Sequence, residues 1–262
     1  MSAVPRLLVV GGGNMGAALV GGLVDGGWDP GSICVVEIDP TKRESLSASL
    51  GVAVSAEIVA AEGAVVAVKP ADVAAVSAVV AGSGTTRIVS IAAGVTLAAL
   101  ETAAPSARIV RAMPNTPALV GEGVTAISAG SACDEDDMAW AESVLSAVGV
   151  VVRVPESQMD AVTAVAGSGP GYLFLFAEAM LTAAIDEGLP PDVADALVRQ
   201  LFRGAGVLLA GSSEPPAVLR ERVTSPNGTT AAGLARFEAA GLRDIVAKAV
   251  RAAATRSREM GR

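Results

Sequence analysis

The chain contains no histidine, only two cysteines and 3% aromatic residues among its 262. Without histidine, the commonest general base at neutral pH and the commonest metal ligand are both missing. Cys34 and Cys133 stand far apart with no metal-ligand spacing, so neither a metal site nor a structural disulfide is expected. The scarcity of rings, beside a 52% hydrophobic fraction made mostly of alanine and valine, points to helices packed closely through small side chains. No uninterrupted apolar run reaches the roughly eighteen residues of a membrane span, and no charged-then-apolar leader opens the sequence. The expectation is a soluble cytoplasmic protein with no membrane partner. A net charge of −8 argues against nucleic acid as a partner, because a phosphate backbone is gripped by a basic face. Arginines do crowd the last quarter, from Arg199 to Arg262. They read as solvated helix faces or ion pairs with acids such as Glu221, Glu238 and Asp244, leaving one or two to steer an anionic substrate.

Glycine, by contrast, is plentiful, and its densest cluster lies in LLVVGGGNMGAALVGGL near the N-terminus. Leu7 to Val10 read as a buried strand, and Asn14 onward reads as a helix with Met15, Leu19 and Leu23 on adjoining turns. Between them, Gly11, Gly13 and Gly16 form GxGxxG. In a dinucleotide fold these positions serve a tight turn, a bare backbone beside the pyrophosphate, and close packing of helix on strand. The unpaired amides of the first helical turn then face an anion. A second strand, Ile33 to Ile38, closes a βαβ unit of about thirty residues.

Strand-like runs continue to alternate with alanine-rich helical runs at Ala64 to Val68, Arg87 to Ile91 and Ala107 to Ala112. This is the pattern of an α/β, doubly wound Rossmann-type sheet. Its carboxyl ends should gather Gly11 to Gly16, Glu37 to Asp39, Lys69 and Pro70, Ala92 to Gly94, and Met113 to Pro117 around one ligand. Val124 to Ser128 and Val150 to Val154 are expected to complete the sheet, flanking a helix from Glu135 to Ala147. After Pro155 no persuasive strand remains. Helical stretches follow, broken at Gly167 to Gly171, Gly188 to Pro191, Gly211 to Pro216 and Ser225 to Gly228. The expected division is a dinucleotide-binding domain over residues 1–154 and an all-helical substrate-binding and dimerisation domain over 155–262.

Local chemistry leaves alternatives open at three places. Glu37 and Asp39 occupy the strand end where a carboxylate binds the ribose hydroxyls of NAD, whereas Lys42 and Arg43, just beyond, could clasp the 2′-phosphate of NADP. Asp39 with Pro40 and Thr41 also reads as a plain turn and helix cap. Lys69, in AVKPAD, either faces the cofactor or only ends a strand beside a ring-locked turn. Late in the chain, LRERVTSPNGTTAAGLARFE places Thr224, Ser225, Asn227, Gly228, Thr229 and Thr230 immediately before a new helix. Such a turn can hold a carboxylate on hydroxyls and free amides, or can serve simply as an N-cap through Thr229 or Thr230.

Taken together, VVGGGNMG, AVKPADV, SIAAGVT, RAMPNTPALVGEGVTA, DAVTAVAGSGPGY and VTSPNGTT resemble, in order and over nearly the whole chain, the motifs of the Δ1-pyrroline-5-carboxylate reductase family. The later motifs are the diagnostic ones, since other dinucleotide enzymes have no reason to carry them. Two positions depart from the family pattern: Asn227 stands where a second glycine is usual, and Glu37 stands where many members have small polar residues. The resemblance implies reduction of 1-pyrroline-5-carboxylate to L-proline, the last step of proline biosynthesis, by hydride transfer from NADPH or NADH to the carbon of the cyclic imine. It further implies a cofactor site of Val10, Gly11, Gly12, Gly13, Asn14, Met15, Gly16, Glu37, Ile38, Ser55, Ala67, Val68, Lys69, Pro70, Ala92, Ala93, Gly94, Pro114, Asn115 and Glu156. The substrate carboxylate would be held by Ser225, Asn227, Gly228, Thr229 and Thr230. The candidate catalytic residues are Thr230, matching the family position whose hydroxyl bonds the ring nitrogen, and Ser225.

A protonated imine is already electrophilic, so the reaction asks for positioning more than for acid–base groups, which suits a chain without histidine. Gly167, Gly169 and Gly171 would each cost about 1 kcal/mol in an exposed helix, so close packing is expected there. The small-residue helices Ala177 to Ile185 and Val193 to Leu209 carry apolar positions on more than one face. That is consistent with a homodimer, or a larger homo-oligomer built from dimers, as in the family. Two other functions compete. A hydroxyacid dehydrogenase of similar build would need a lysine in its helical part, where only Lys248 is available. A non-catalytic dinucleotide sensor would keep the glycine turn but have no use for the hydroxyl-rich loop.

Overall fold

The apolar runs pair into one sheet in a computed structural model that describes residues 4–261. Arg262 lies outside the described residues. The strands are β1 (Leu7–Val10), β2 (Ile33–Val36), β3 (Ala53–Ser55), β4 (Gly63–Val66), β5 (Arg87–Ser90), β6 (Arg108–Met113), β7 (Gly123–Ala129) and β8 (Gly149–Arg153). They lie in the order β3-β2-β1-β4-β5-β6-β7-β8. Val10 of β1 is in register with Val36 of β2 and Val66 of β4, both parallel to it. Helices α1 (Asn14–Asp25), α2 (Pro40–Leu50), α3 (Val73–Gly82), α4 (Leu97–Ala103) and α5 (Glu135–Leu145) connect the strands.

Strand periodicity sorts the side chains into two buried clusters. Leu7 and Val9 join Leu19, Val20 and Leu23 of α1 and Met138, Ala141 and Val144 of α5. Leu8 and Val10 join Val73 and Val80 of α3 and Leu97 and Leu100 of α4. Helices therefore cover both faces, which is why the inner strands are unbroken apolar runs. Small residues set the spacing: a Cβ at Gly63 would overlap the Trp140 indole, and one at Gly22 would overlap the Ala147 carbonyl oxygen.

Two features depart from the sequence reading. β7 runs antiparallel to β6, because the short Pro114–Glu122 connection has no room for a crossover helix. β3, three residues at the sheet edge with its first residue exposed, carries no apolar signal to betray it.

The chain divides into two compact units, Met1–Ser168 with Ala252–Arg262, and Gly169–Arg251. The first unit thus extends past the expected boundary at 154. Residues after Pro155 remain tied to it: Glu156 accepts from Leu97 N–H at 2.6 Å and pairs with Arg111 at 2.9 Å. They continue through α6 (Met159–Val162) and a π-helical turn, Thr163–Gly167. The end of the last helix returns to this unit, where the Ser257 hydroxyl donates to Asp160 at 2.6 Å.

The second unit is entirely helical: α7 (Gly169–Asp186), α8 (Pro191–Ala210), α9 (Pro216–Arg222), α10 (Thr229–Ala239) and most of α11 (Leu242–Met260). Phe176 stacks near Phe202 and Phe237, with ring centroids 6.1 and 5.8 Å away. Neither buried cluster includes a residue from this unit. Phe174, Leu175, Leu201, Val207, Leu208 and Ile245 stay exposed instead. The helical stretch Glu156–Asp186 is long and apolar enough to cross a membrane by length and composition, yet 6% of its most apolar window is buried within the chain. Its apolar face calls for a cover. The arginines of this unit mostly pair locally, Arg199 with Asp195, Arg222 with Glu214 and Arg243 with Glu238.

Candidate active site

The sheet changes winding direction at β1, which pairs β2 on one side and β4 on the other. That is where an open α/β sheet leaves a crevice at the carboxyl ends of its strands. The turn after β1 shows why glycine recurs there. Gly11 has φ +111°, a conformation that strains any other residue, and a Cβ on it would sit 2.6 Å from the Ala67 carbonyl oxygen. Its amide continues the ladder to Val36 O at 2.8 Å. A Cβ at Gly16 would overlap the Gly11 carbonyl, so this glycine lets α1 close onto the strand. Gly13 is different. Among the described residues, apart from its own chain neighbours, nothing lies within 4 Å of a Cβ built there, and the residue is exposed. It caps α1 without any side-chain hydrogen bond, so the first amides of that helix open on the crevice beside a bare backbone. This cradle suits a pyrophosphate.

At the end of β2 the Glu37 carboxylate, 9% exposed, accepts from Gly12 N–H and from Asp39 N–H, each at 3.0 Å. Asp39 itself is a helix cap, accepting from Thr41 N–H and Lys42 N–H. Arg43 donates through one nitrogen to the carbonyls of Glu37 (2.6 Å) and Ile38 (2.9 Å). Ile38 is 86% exposed. The Ser55 hydroxyl closes a local turn with Glu57. Beyond β4, Ala67 N–H bonds Val10 O at 2.8 Å, Val68 is half-buried, and Lys69 and Pro70 are exposed at the start of a short 3₁₀ turn.

Ala92, Ala93 and Gly94 follow β5, and Gly94 at φ +78° packs against Met260. Pro114 and Asn115 follow β6. The Asn115 side chain bridges Val124 N–H and Ala166 O, at 2.9 and 3.2 Å, and so ties the loop to the π-helical turn. Gly167 lets that turn approach the Met113 methyl, where a Cβ would lie 2.7 Å away. Thus Gly11 to Gly16, Glu37 and Ala67 are brought into direct contact. The Glu156 carboxylate is held on Leu97 N–H and Arg111.

In the helical unit, Ser225, Pro226, Asn227 and Gly228 form a β-turn closed by Gly228 N–H to Ser225 O at 3.0 Å. Asn227 has φ 59°, the only positive φ at a non-glycine among the described residues. Proline second and a left-handed residue third is the type II pattern, and asparagine is the residue that best tolerates that position after glycine. A Cβ at Gly228 would overlap the Ser225 hydroxyl. α10 then begins at Thr229 with no side-chain cap, so Thr229 and Thr230 are not the N-cap residues that one reading of the sequence made them. Both are exposed, and the first amides of α10 stand beside their hydroxyls.

Residues 156–260 match the family model for the pyrroline-5-carboxylate reductase dimerisation domain, and residues 6–94 match a model described as NADP oxidoreductase, coenzyme F420-dependent. A pyrroline-5-carboxylate reductase from Synechocystis sp. is 42% identical, the match covering 98% of each chain. The chain belongs to the pyrroline-5-carboxylate reductase family. The solved family member from Coxiella burnetii superimposes with a TM-score of 0.94 at 35% identity, covering 99% of this chain and 100% of its own. The Plasmodium falciparum member, solved with NADP bound, gives 0.80 at 28% identity over 98% of this chain and 99% of its own. Lys248, the lysine a dehydrogenase reading would need, pairs with Asp244 at 2.6 Å and is largely exposed. The sequence reading missed Arg111, whose buried guanidinium holds Glu156, although the second arginine of RIVRAM, set between apolar residues, was a visible signal. It also missed the π-helical turn in DAVTAVAG, for which helical periodicity gives no sign.

Proposed function

We propose that the chain reduces 1-pyrroline-5-carboxylate to L-proline with NADPH or NADH. The observation that carries this reading is the pairing, in one chain of this family, of an open glycine cradle at the β1–β4 switch with an uncapped, hydroxyl-rich turn at Ser225–Thr230. The cradle fits the coenzyme: Gly13 leaves the volume a Cβ would fill, and the α1 amides supply donors to its phosphates. When bound, the dinucleotide supplies the hydride. The second unit's turn presents N–H and O–H donors to the substrate carboxylate, fixing which face and which carbon of the ring are offered. The Thr230 hydroxyl oxygen accepts from the protonated ring N–H, favouring the iminium form as its carbon accepts the hydride. Ser225 shapes the turn through Gly228 and offers a second hydroxyl to the carboxylate. Glu156 acts at one remove, holding Arg111 and the start of α4.

In this reading the first compact unit holds the coenzyme, and the helical unit Gly169–Arg251 holds the substrate and joins two copies. The exposed apolar surface of α7 and α8 supports a homodimer, alone or as the unit of a larger assembly. Two free thiols, Cys34 and Cys133, accord with a cytoplasmic, reducing setting. Following the absorbance of NADH and NADPH separately, with and without 1-pyrroline-5-carboxylate, tests the reading. Imine-dependent oxidation of at least one is expected, and oxidation of neither refutes it.

A further inference from the structure

We propose that Glu37 makes this chain selective for a coenzyme with a free ribose 2′-hydroxyl, so that it binds NADH in preference to NADPH. The inference rests on reading the first unit as the coenzyme site. The Glu37 carboxylate is clamped between the Gly12 and Asp39 amides, both at 3.0 Å. It therefore sits beside the glycine turn and cannot swing aside without giving up two charge-assisted hydrogen bonds. Two of its roughly four lone-pair sites remain for donors. Ribose hydroxyls donate; a 2′-phosphate at neutral pH only accepts and carries like charge.

Two cations, Lys42 and Arg43, stand near the strand end, and one nitrogen of Arg43 is already committed. Arg43 is half-buried, with its Nη1 held by the Glu37 and Ile38 carbonyls. Lys42 is exposed in the first turn of α2, and that turn carries a second carboxylate, Asp39, at its cap. The Ser55 hydroxyl on the neighbouring strand is taken up by Glu57. Among the described residues, the Thr41 hydroxyl, the Lys42 ammonium and the remaining nitrogens of Arg43 have no protein partner near the strand end, but only the Glu37 carboxylate is clamped there by two backbone amides. The exposed Ile38, next in the chain, offers an apolar surface for adenine whichever coenzyme binds.

Equilibrium titration of the full-length protein with NADH and with NADPH, by calorimetry or coenzyme fluorescence, tests this without turnover. The wild type is expected to bind NADH tighter by about tenfold or more. Glu37→Gln, which keeps shape and one acceptor, and Glu37→Ser are each expected to tighten NADPH binding and bring the ratio toward one or below. Adenosine 2′,5′-bisphosphate should show the same gain. Equal or tighter binding of NADPH by the wild type overturns the inference, as does a ratio unmoved by Glu37→Gln in a variant with native circular dichroism. Failure of the wild type to bind either coenzyme overturns the coenzyme-site reading itself.

Discussion

Thr230 and Gly13 separate function from folding at single positions. Thr230 is exposed and caps nothing, so Thr230→Ala is expected to leave the fold and the coenzyme dissociation constant unchanged while kcat/KM falls roughly a hundredfold. Steady-state kinetics beside a coenzyme titration check both, and an equal loss of coenzyme binding would mark the residue as structural. Gly13→Ala meets no atom of the described residues beyond its own chain neighbours. It is expected to shift stability by less than about 0.5 kcal/mol yet weaken coenzyme binding about tenfold or more. Gly16→Ala, which overlaps the Gly11 carbonyl, should instead lower stability and binding together. The GxGxxG spacing named these positions from sequence, but only the backbone shows that the three glycines answer three different demands. Asn227 is the converse case. It stands where the family usually has a glycine, and its φ of 59° is the left-handed conformation that asparagine tolerates best after glycine.

Elements are held in place by buried charge as well as by apolar packing, and composition did not reveal this. Asp137, at the start of α5, accepts from Arg87 on β5 (2.8 Å) and Arg108 on β6 (2.9 Å), and exchanges a capping box with Asp134. Burial pushes its carboxyl up, but the Asp134 N–H and the two guanidiniums outweigh burial and hold it below the usual range. A carboxyl lowered on folding adds stability that is fully present above its unfolded pKa of about 3.9 and is lost as pH falls through the lower folded value. Asp137→Asn is therefore expected to cost about 2 kcal/mol at neutral pH, less than a fully buried pair because both arginines stay about a third exposed. Urea unfolding at neutral pH should show the lower midpoint, and the difference from wild type should shrink in acid below about pH 4. Seven of the strands were legible as apolar runs, and for β1, β2, β4, β5 and β6 the reason is that parallel strands covered on both faces are apolar throughout. β3 was not, being a three-residue edge, and the direction of β7 was set by the length of a loop rather than by its own residues.

For the whole molecule, the helical unit exposes the apolar positions that the first unit buries. Phe174 is 69% exposed on α7. Phe174→Glu is expected to leave far-ultraviolet circular dichroism intact while sedimentation shows a smaller species with little activity, and an unchanged assembly would remove α7 from the interface. The absence of histidine carries through to kinetics. With no side chain of ordinary pKa near neutrality, the pH dependence of kcat/KM should follow protonation of the free imine, and wild type and Thr230→Ala should share that inflection. The proposed function comes down to one hydride transfer from coenzyme to imine carbon. Incubating the enzyme with 1-pyrroline-5-carboxylate and coenzyme deuterated at the nicotinamide C4 position, then locating the label by mass spectrometry and NMR, follows that transfer directly. One deuterium is predicted in L-proline, on the ring carbon across the nitrogen from the carboxylate-bearing carbon. Proline without label, or label delivered instead to the carbinol carbon of the hydroxy acid formed from a keto acid offered as substrate, would contradict it.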